Sequence, residues 1–242
     1  MITQCLCLSD DLQTWEVMVA IQFLQASKDP GMVMMRSDCR YRGLCGSAGL
    51  FISDTEAPVE RDFTVEDGAI SVRGGATSAI AFMKPPVFGI PATHKGPIVL
   101  CPEACVPELA LPESVWRAFT LHLRTYGPQL RVIVEQGRRM DYAAVSEHEL
   151  VAEASPEEKL DLVAGASLVV GVPNAWTWAA CGWYNKALVA FYPDDVPVSL
   201  WFPYSGTRQA KGLFASGRVK LPVVLAGLRQ LIAKIPDLTG SG

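Results

Sequence analysis

Between Leu168 and Ala180 the sequence reads Leu-Val-Val-Gly-Val-Pro-Asn-Ala-Trp-Thr-Trp-Ala-Ala. This is the pattern of an apolar strand, a tight turn and the start of a helix. The free backbone amides at a helix N-terminus attract anions. Asn174 can cap that helix, Ala175 opens it, and the Thr177 hydroxyl can add a hydrogen bond. A simpler reading fits the same residues: Asn174 is only an N-cap, and Trp176 and Trp178 are core packing. The aromatic residues Trp176, Trp178, Tyr184 and Trp201 could stack on a base or a sugar, or fill the interior.

Other chemistries are excluded by pattern. No Gly-x-Gly-x-x-Gly follows a strand, and there is neither a Walker P-loop nor a Gly-x-Ser-x-Gly elbow. His94, His122 and His148 show no metal-ligand spacing. Cys101-x3-Cys105 and Cys39-x5-Cys45 lack the two-residue spacing of zinc knuckles, so no metal site is expected. The seven cysteines are odd in number and the chain needs no disulfide framework, which suits reduced thiols in a cytoplasmic protein. The opening Met-Ile-Thr-Gln-Cys-Leu-Cys-Leu-Ser-Asp-Asp carries no basic n-region, so no signal peptide is expected.

Hydrophobic residues are 50% and charged residues 19% of 242. A charged fraction below the usual ~25% points to elements buried on both faces and argues against disorder. The formal net charge of −4 disfavours a broad nucleic-acid surface. Leu162 to Asn185 holds no charge and is long enough to span a bilayer. Pro173-Asn174 in its middle reads as a turn, and a turn facing lipid leaves backbone groups unsatisfied, so no membrane span is expected.

The elements that must position these residues are clearest in the second half. Strands are predicted at Ile98–Cys101, Arg131–Glu135, Glu149–Val151, Ser167–Gly171 and Ala187–Tyr192. Helices are predicted from Leu111 to Tyr126, around Arg138–Val145, from Ser155 to Ala164, over Ala175–Trp183 and over Pro222–Ile235. Pro193–Gly217 reads as a long loop. The alternation implies a parallel sheet, whose ligands bind at the carboxyl ends of its strands. The first half is less regular. Strands are predicted at Ile2–Leu8, Met32–Arg36, Leu50–Ser53 and Ile80–Met83, with a helix at Leu12–Ala26. Phe63–Val65 and Ala69–Val72 flank a hairpin turn at Asp67-Gly68. The stretch from Lys84 to Pro97 is the linker candidate. The expected division is a reduced N-terminal lobe, 1–95, and a larger lobe, 96–242.

In order along the chain stand Ser155-Pro-Glu157, Ala164-Gly-Ala166, Val169-Val-Gly-Val172, Pro173-Asn-Ala175, Ala179-Ala180, Val189-Ala-Phe-Tyr-Pro-Asp-Asp195 and Trp201-Phe-Pro-Tyr204. This run resembles the C-terminal half of the heptosyltransferase-like glycosyltransferases of the two-lobed GT-B fold. Upstream, Leu111-Pro-Glu-Ser-Val-Trp116 resembles the family's Trp-Pro-Glu-x-x-Trp helix start, so the likeness covers about residues 97–235. It implies an α/β fold of two Rossmann-like lobes with parallel sheets. Glu157 matches the acid that holds the nucleotide ribose, and Asn174–Thr177 matches the diphosphate loop. Glu103, Arg138, Trp178 and Asp194 complete the expected nucleotide-sugar-binding set.

The chain departs from the family where Asp-Ser/Thr-Gly becomes Pro173-Asn174-Ala175, where His becomes Trp178, and where Ala110-Leu111 replaces a Lys. A basic side chain among Arg138, Arg139, Arg208 and Lys211 would then have to face the diphosphate. Ser9-Asp10-Asp11 stands where the family places its catalytic base, so Asp10 or Asp11 could deprotonate an acceptor hydroxyl. Capping of the following helix explains either aspartate equally well. The expected function is metal-independent transfer of a sugar from a nucleotide sugar to an acceptor hydroxyl, with no cofactor besides that donor. The alternatives are a non-catalytic nucleotide- or partner-binding protein derived from such an enzyme, and a transferase acting on modified nucleic acid.

Overall fold

A computed structural model describes residues 4–26, 31–66, 69–75, 77–79, 96–105, 109–126, 129–134, 149–184, 186–192, 212–216 and 221–233. Three strands, β1 (Cys5–Cys7), β2 (Met32–Arg36) and β3 (Phe51–Thr55), form a parallel sheet in that order. Helices α1 (Thr14–Ala26) and α2 (Arg42–Ser47) make the two crossovers. Next come three antiparallel strands, β4 (Phe63–Glu66), β5 (Ala69–Val72) and β6 (Thr77–Ala79). Glu66 pairs with Ala69 across the hairpin, and the expected turn at 67–68 lies outside the described residues.

The second half holds β7 (Ile98–Cys101), α3 (Glu113–Leu123), β8 (Leu130–Ile133), β9 (Leu150–Val151), α4 (Pro156–Gly165), β10 (Leu168–Gly171), α5 (Ala175–Trp178), β11 (Leu188–Tyr192), β12 (Gly212–Ser216) and α6 (Leu221–Ile232). Residues Ala179–Trp183 continue α5 as a π-helical turn. The six strands are parallel, in the order β12-β11-β10-β7-β8-β9. Counted along the chain this is 3-2-1-4-5-6, the dinucleotide-fold order. Its direction reverses between β7 and β10, where such folds bind their ligands.

All four residues of β7 and of β10 are buried, because helices cover both faces of this sheet. Ile98, Leu100, Val132 and Val170 share one core with Trp116 and Phe119 of α3 and Leu228 and Ile232 of α6. Val99, Cys101, Ile133 and Val169 face the other way. There they join α4, α5 and the interior of the first sheet in a continuous core. Helix α1 lies inside that core and is buried at every position from Val17 to Leu24. A helix apolar all round must be covered all round, here by its own sheet and by α5. A polar bond crosses the contact: the Trp183 Nε1–H donates to Gln22 Oε1 at 3.0 Å.

Helix α4 begins as its sequence dictates. The Ser155 hydroxyl accepts from the Glu158 amide at 3.2 Å, the Glu158 carboxylate accepts from the Ser155 amide at 2.7 Å, and Pro156 occupies the first turn. Three elements depart from the sequence reading, the first being the short strand β6, where none was expected. The expected loop 193–217 contains strand β12, because Leu213-Phe214-Ala215 pairs with Val189–Phe191 on a neighbouring strand. Helix α2 was not foreseen, since its Arg-Gly-Leu-Cys-Gly-Ser sequence is a poor helix former; burial of Leu44 and Cys45 holds it in place. The expected strand at 80–83, most of the linker and the short helix at 138–145 lie outside the described residues. Among the described residues no helix is long and apolar enough to cross a membrane. All seven cysteines are free thiols.

Gly171 ends β10 where the backbone passes closest to β7. A Cβ there would sit 2.7 Å from the Cys101 carbonyl oxygen and 2.6 Å from Thr177 Cγ2. Backbone on one side and a locked side chain on the other leave little room to relax. Gly171→Ala is expected to cost about 1–3 kcal/mol, read by urea denaturation.

Candidate active site

The carboxyl ends of both parallel sheets converge on a cavity of about 210 Å³. Residues 11–15 after β1 and Arg40 after β2 form one wall. The opposite wall is Glu103, Ala104 and Cys105 after β7, Ile133 at the end of β8, and Asn174, Ala175 and Trp176 after β10. This second wall lies at the point where the strand order reverses.

Asn174 organises that wall. Its Oδ1 accepts from the amides of Trp176 and Thr177, each at 3.0 Å. Its Nδ2 donates to the carbonyls of Glu103 at 2.7 Å and Cys101 at 3.3 Å. A primary amide has two donor hydrogens and one carbonyl oxygen, so every hydrogen-bonding group of the side chain is used. Thr177 completes a reciprocal cap. Its Oγ1 accepts from the Asn174 amide at 3.0 Å and donates to the Val172 carbonyl at 2.8 Å. Two backbone bonds close the same seam, from the Val172 amide to the Cys101 carbonyl and from the Cys105 amide to the Pro173 carbonyl. Asn174 is thus both a helix cap and a strut between β7 and β10. The second and third amides of α5, which an anion would otherwise meet, donate to it.

The two aspartates separate. Asp11 is exposed and lines the cavity. The Ser9 hydroxyl beside it holds its carboxyl below the usual range. Asp10 faces Cys39 instead; that thiol is pushed up to about 11, chiefly by burial and further by the Asp10 carboxylate. Helix α1 starts beyond both, at Thr14, with the Gln13 amide donating to Glu16 at 2.9 Å.

Glu103 is buried at 9% exposure and lines the cavity. Asn174, Ala175 and Trp176 line it too, Thr177 lies buried behind them, and Trp178 belongs to the shared core. Glu157 is not among the cavity residues. Its carboxylate packs against Gly43 of α2 so closely that a Cβ there would collide with it. Arg138 and Asp194, with the alternative cations Arg139, Arg208 and Lys211, lie outside the described residues. Among the described residues no group of three His, Cys, Asp or Glu side chains could hold a metal ion.

Two cations were not foreseen, Arg40 in the cavity wall and Lys159 buried behind it. Arg40 follows β2, and its position at the carboxyl end of a parallel strand is the signal that could have found it. Lys159 is 3% exposed. Its Nζ donates to the carbonyls of Val134 at 2.8 Å and Ala152 at 3.1 Å, just beyond β8 and β9. It also stands 6.0 Å from the Trp176 ring centroid. Lys159→Met is expected to leave those carbonyls without their charged donor and to cost about 2–4 kcal/mol, seen as a lower denaturation midpoint.

No family model and no curated protein matches the chain. Solved structures do. The chain is similar to the E. coli ADP-heptose LPS heptosyltransferase II, at 12% identity and a TM-score of 0.54, over 96% of this chain and 98% of that one. It is also similar to the dodecameric iron-containing heptosyltransferase TibC in complex with ADP-D-β-D-heptose, at 13% identity and a TM-score of 0.56, over 96% and 75%. TibC from enterotoxigenic E. coli H10407 gives 13% and 0.50 over the same shares. At such identities the likeness is one of fold: mixed α/β with parallel sheets, the GT-B architecture of the heptosyltransferases.

Proposed function

We propose that this protein is a glycosyltransferase that moves a sugar from a nucleotide-sugar donor to an acceptor hydroxyl without a metal ion. One observation carries the reading: in a GT-B fold, Asp11 lines the same cavity as the Glu103 and Asn174–Trp176 wall at the strand-order reversal. The division into an acceptor-type lobe, 1–95, and a donor-type lobe, 96–242, is part of it. So is the bound heptose donor of TibC, which lends support to a nucleotide sugar as ligand here.

In this reading Asp11 accepts the proton of the acceptor hydroxyl as its oxygen attacks the anomeric carbon. The bond from that carbon to the donor phosphate breaks, and its electron pair leaves with the phosphate. Glu103, buried at the cavity wall and acceptor-only when ionised, suits a pair of sugar or ribose hydroxyls. The cavity volume is below the roughly 300–1,000 Å³ of typical ligand pockets. Its walls therefore suit the reacting groups rather than a whole donor.

The hold of Asn174 on the α5 amides favours a second reading, a binding protein of the same fold without turnover. Release of nucleoside diphosphate from ADP-, UDP-, GDP- and CDP-sugars separates the two. The first reading expects release from one donor class, quickened by an acceptor. Saturable binding with no release from any donor would establish the second.

A further inference from the structure

We infer that Arg40 is the cation that meets the departing phosphate. The inference rests on the glycosyltransferase reading and adds a residue that no sequence motif marks. Breaking the sugar–phosphate bond leaves its electron pair on a phosphate oxygen, and that growing charge needs donors already in place. The second and third amides of α5 are held by Asn174 Oδ1. Those two amides are therefore not available to meet the charge.

Among the described residues that line the cavity, Arg40 is the one cation. It is also the one arginine between β1 and β6 without a carboxylate partner among the described residues. Arg36 pairs with Asp38, Arg42 with Asp54, Arg61 with Glu16 and Arg73 with Glu60. Arg40 is instead held by neutral groups. Its Nη2 donates to the Leu12 carbonyl at 3.0 Å and bonds the Tyr41 hydroxyl, and its guanidinium carbon lies 4.6 Å from the Tyr41 ring centroid. Tyr41 is fully buried and itself donates to Leu12 at 2.6 Å, so the anchor is rigid. A guanidinium fixed through one nitrogen keeps its other N–H groups for a bidentate phosphate contact. An arginine neutralised by a carboxylate would not. Leu12 adjoins Asp11, so one turn places the base and the phosphate cation on the same wall.

The test is calorimetry of wild type, Arg40→Met and Arg40→Lys with ADP, UDP, GDP and CDP and with the four matching nucleosides. For whichever diphosphate the wild type binds, Arg40→Met is expected to weaken affinity about 10- to 100-fold and to leave the nucleoside unchanged. Arg40→Lys keeps the charge but not the planar fork, and an intermediate loss of about three- to tenfold is expected. Wild-type diphosphate affinity in either variant, or an equal loss for diphosphate and nucleoside, overturns the role of Arg40. Should Arg40→Met not fold, Arg40→Lys alone decides. A wild type that binds none of the diphosphates overturns the glycosyltransferase reading itself, which is a different failure.

Discussion

Asp11→Asn is expected to lower the rate of sugar transfer about 10²- to 10⁴-fold, with nucleotide-sugar affinity unchanged. The substitution keeps the size and the hydrogen-bonding oxygen but removes the group that takes the proton. Asp10→Asn should change the rate little, because Asp10 faces Cys39 and not the cavity. The pH profile supplies an independent check. The Ser9 hydroxyl holds the Asp11 carboxyl below its ordinary value of about 3.9, so the base is fully ionised throughout the neutral and mildly acidic range. Lowering the pH from 7 to about 5 should therefore cost no activity through this group. Protonation and loss of rate should set in only below the ordinary carboxylate range. An acidic limb centred near pH 6.5, abolished in Asp11→Asn, would contradict the assignment.

Asn174→Ala removes four hydrogen bonds at once. Two are the cap bonds to the amides of Trp176 and Thr177, and two are the strut bonds to Cys101 and Glu103. Losing a cap costs about 0.5–2 kcal/mol. Each unmade bond to a buried carbonyl adds about 0.5–1.5 kcal/mol. The expected loss is about 2–4 kcal/mol, measured by urea denaturation. Asn174→Asp separates the two duties. A carboxylate caps the helix as well as an amide does and suits the positive end of its dipole. It cannot donate to Cys101 and Glu103, and it turns an oxygen toward their carbonyls. Asn174→Asp is therefore expected to lose stability despite its better charge for a helix start. Full stability in Asn174→Asp would show that only the cap matters.

The apolar runs at Ile98–Cys101 and Leu168–Gly171 were legible because central strands of a doubly covered sheet bury every residue. The order of those strands was not legible. Adjacency of β7 and β10 joins residues about seventy positions apart, and local pattern carries no such information. The same holds for the site. Asn174 reads as a helix cap from Pro-Asn-Ala-Trp-Thr, but its bonds to Cys101 and Glu103 exist only once the sheet has formed. Asp10 and Asp11 are indistinguishable in sequence, and the turn before α1 sends one to Cys39 and the other to the cavity. Glu157 carries a family signal, yet the packing of α2 against α4 sets it beside Gly43. Arg40 resembles any surface arginine until its neighbours are seen to be ion-paired.

The most direct measurement is a crystal structure of the protein soaked with a mixture of ADP-, UDP-, GDP- and CDP-sugars. One donor should reach into the cavity with its reacting end, its phosphates within hydrogen-bonding distance of Arg40 and its anomeric carbon facing Asp11. A donor bound elsewhere on the molecule, or a cavity left empty by all four at saturating concentration, would contradict a sugar-transfer site at the meeting of the two sheets.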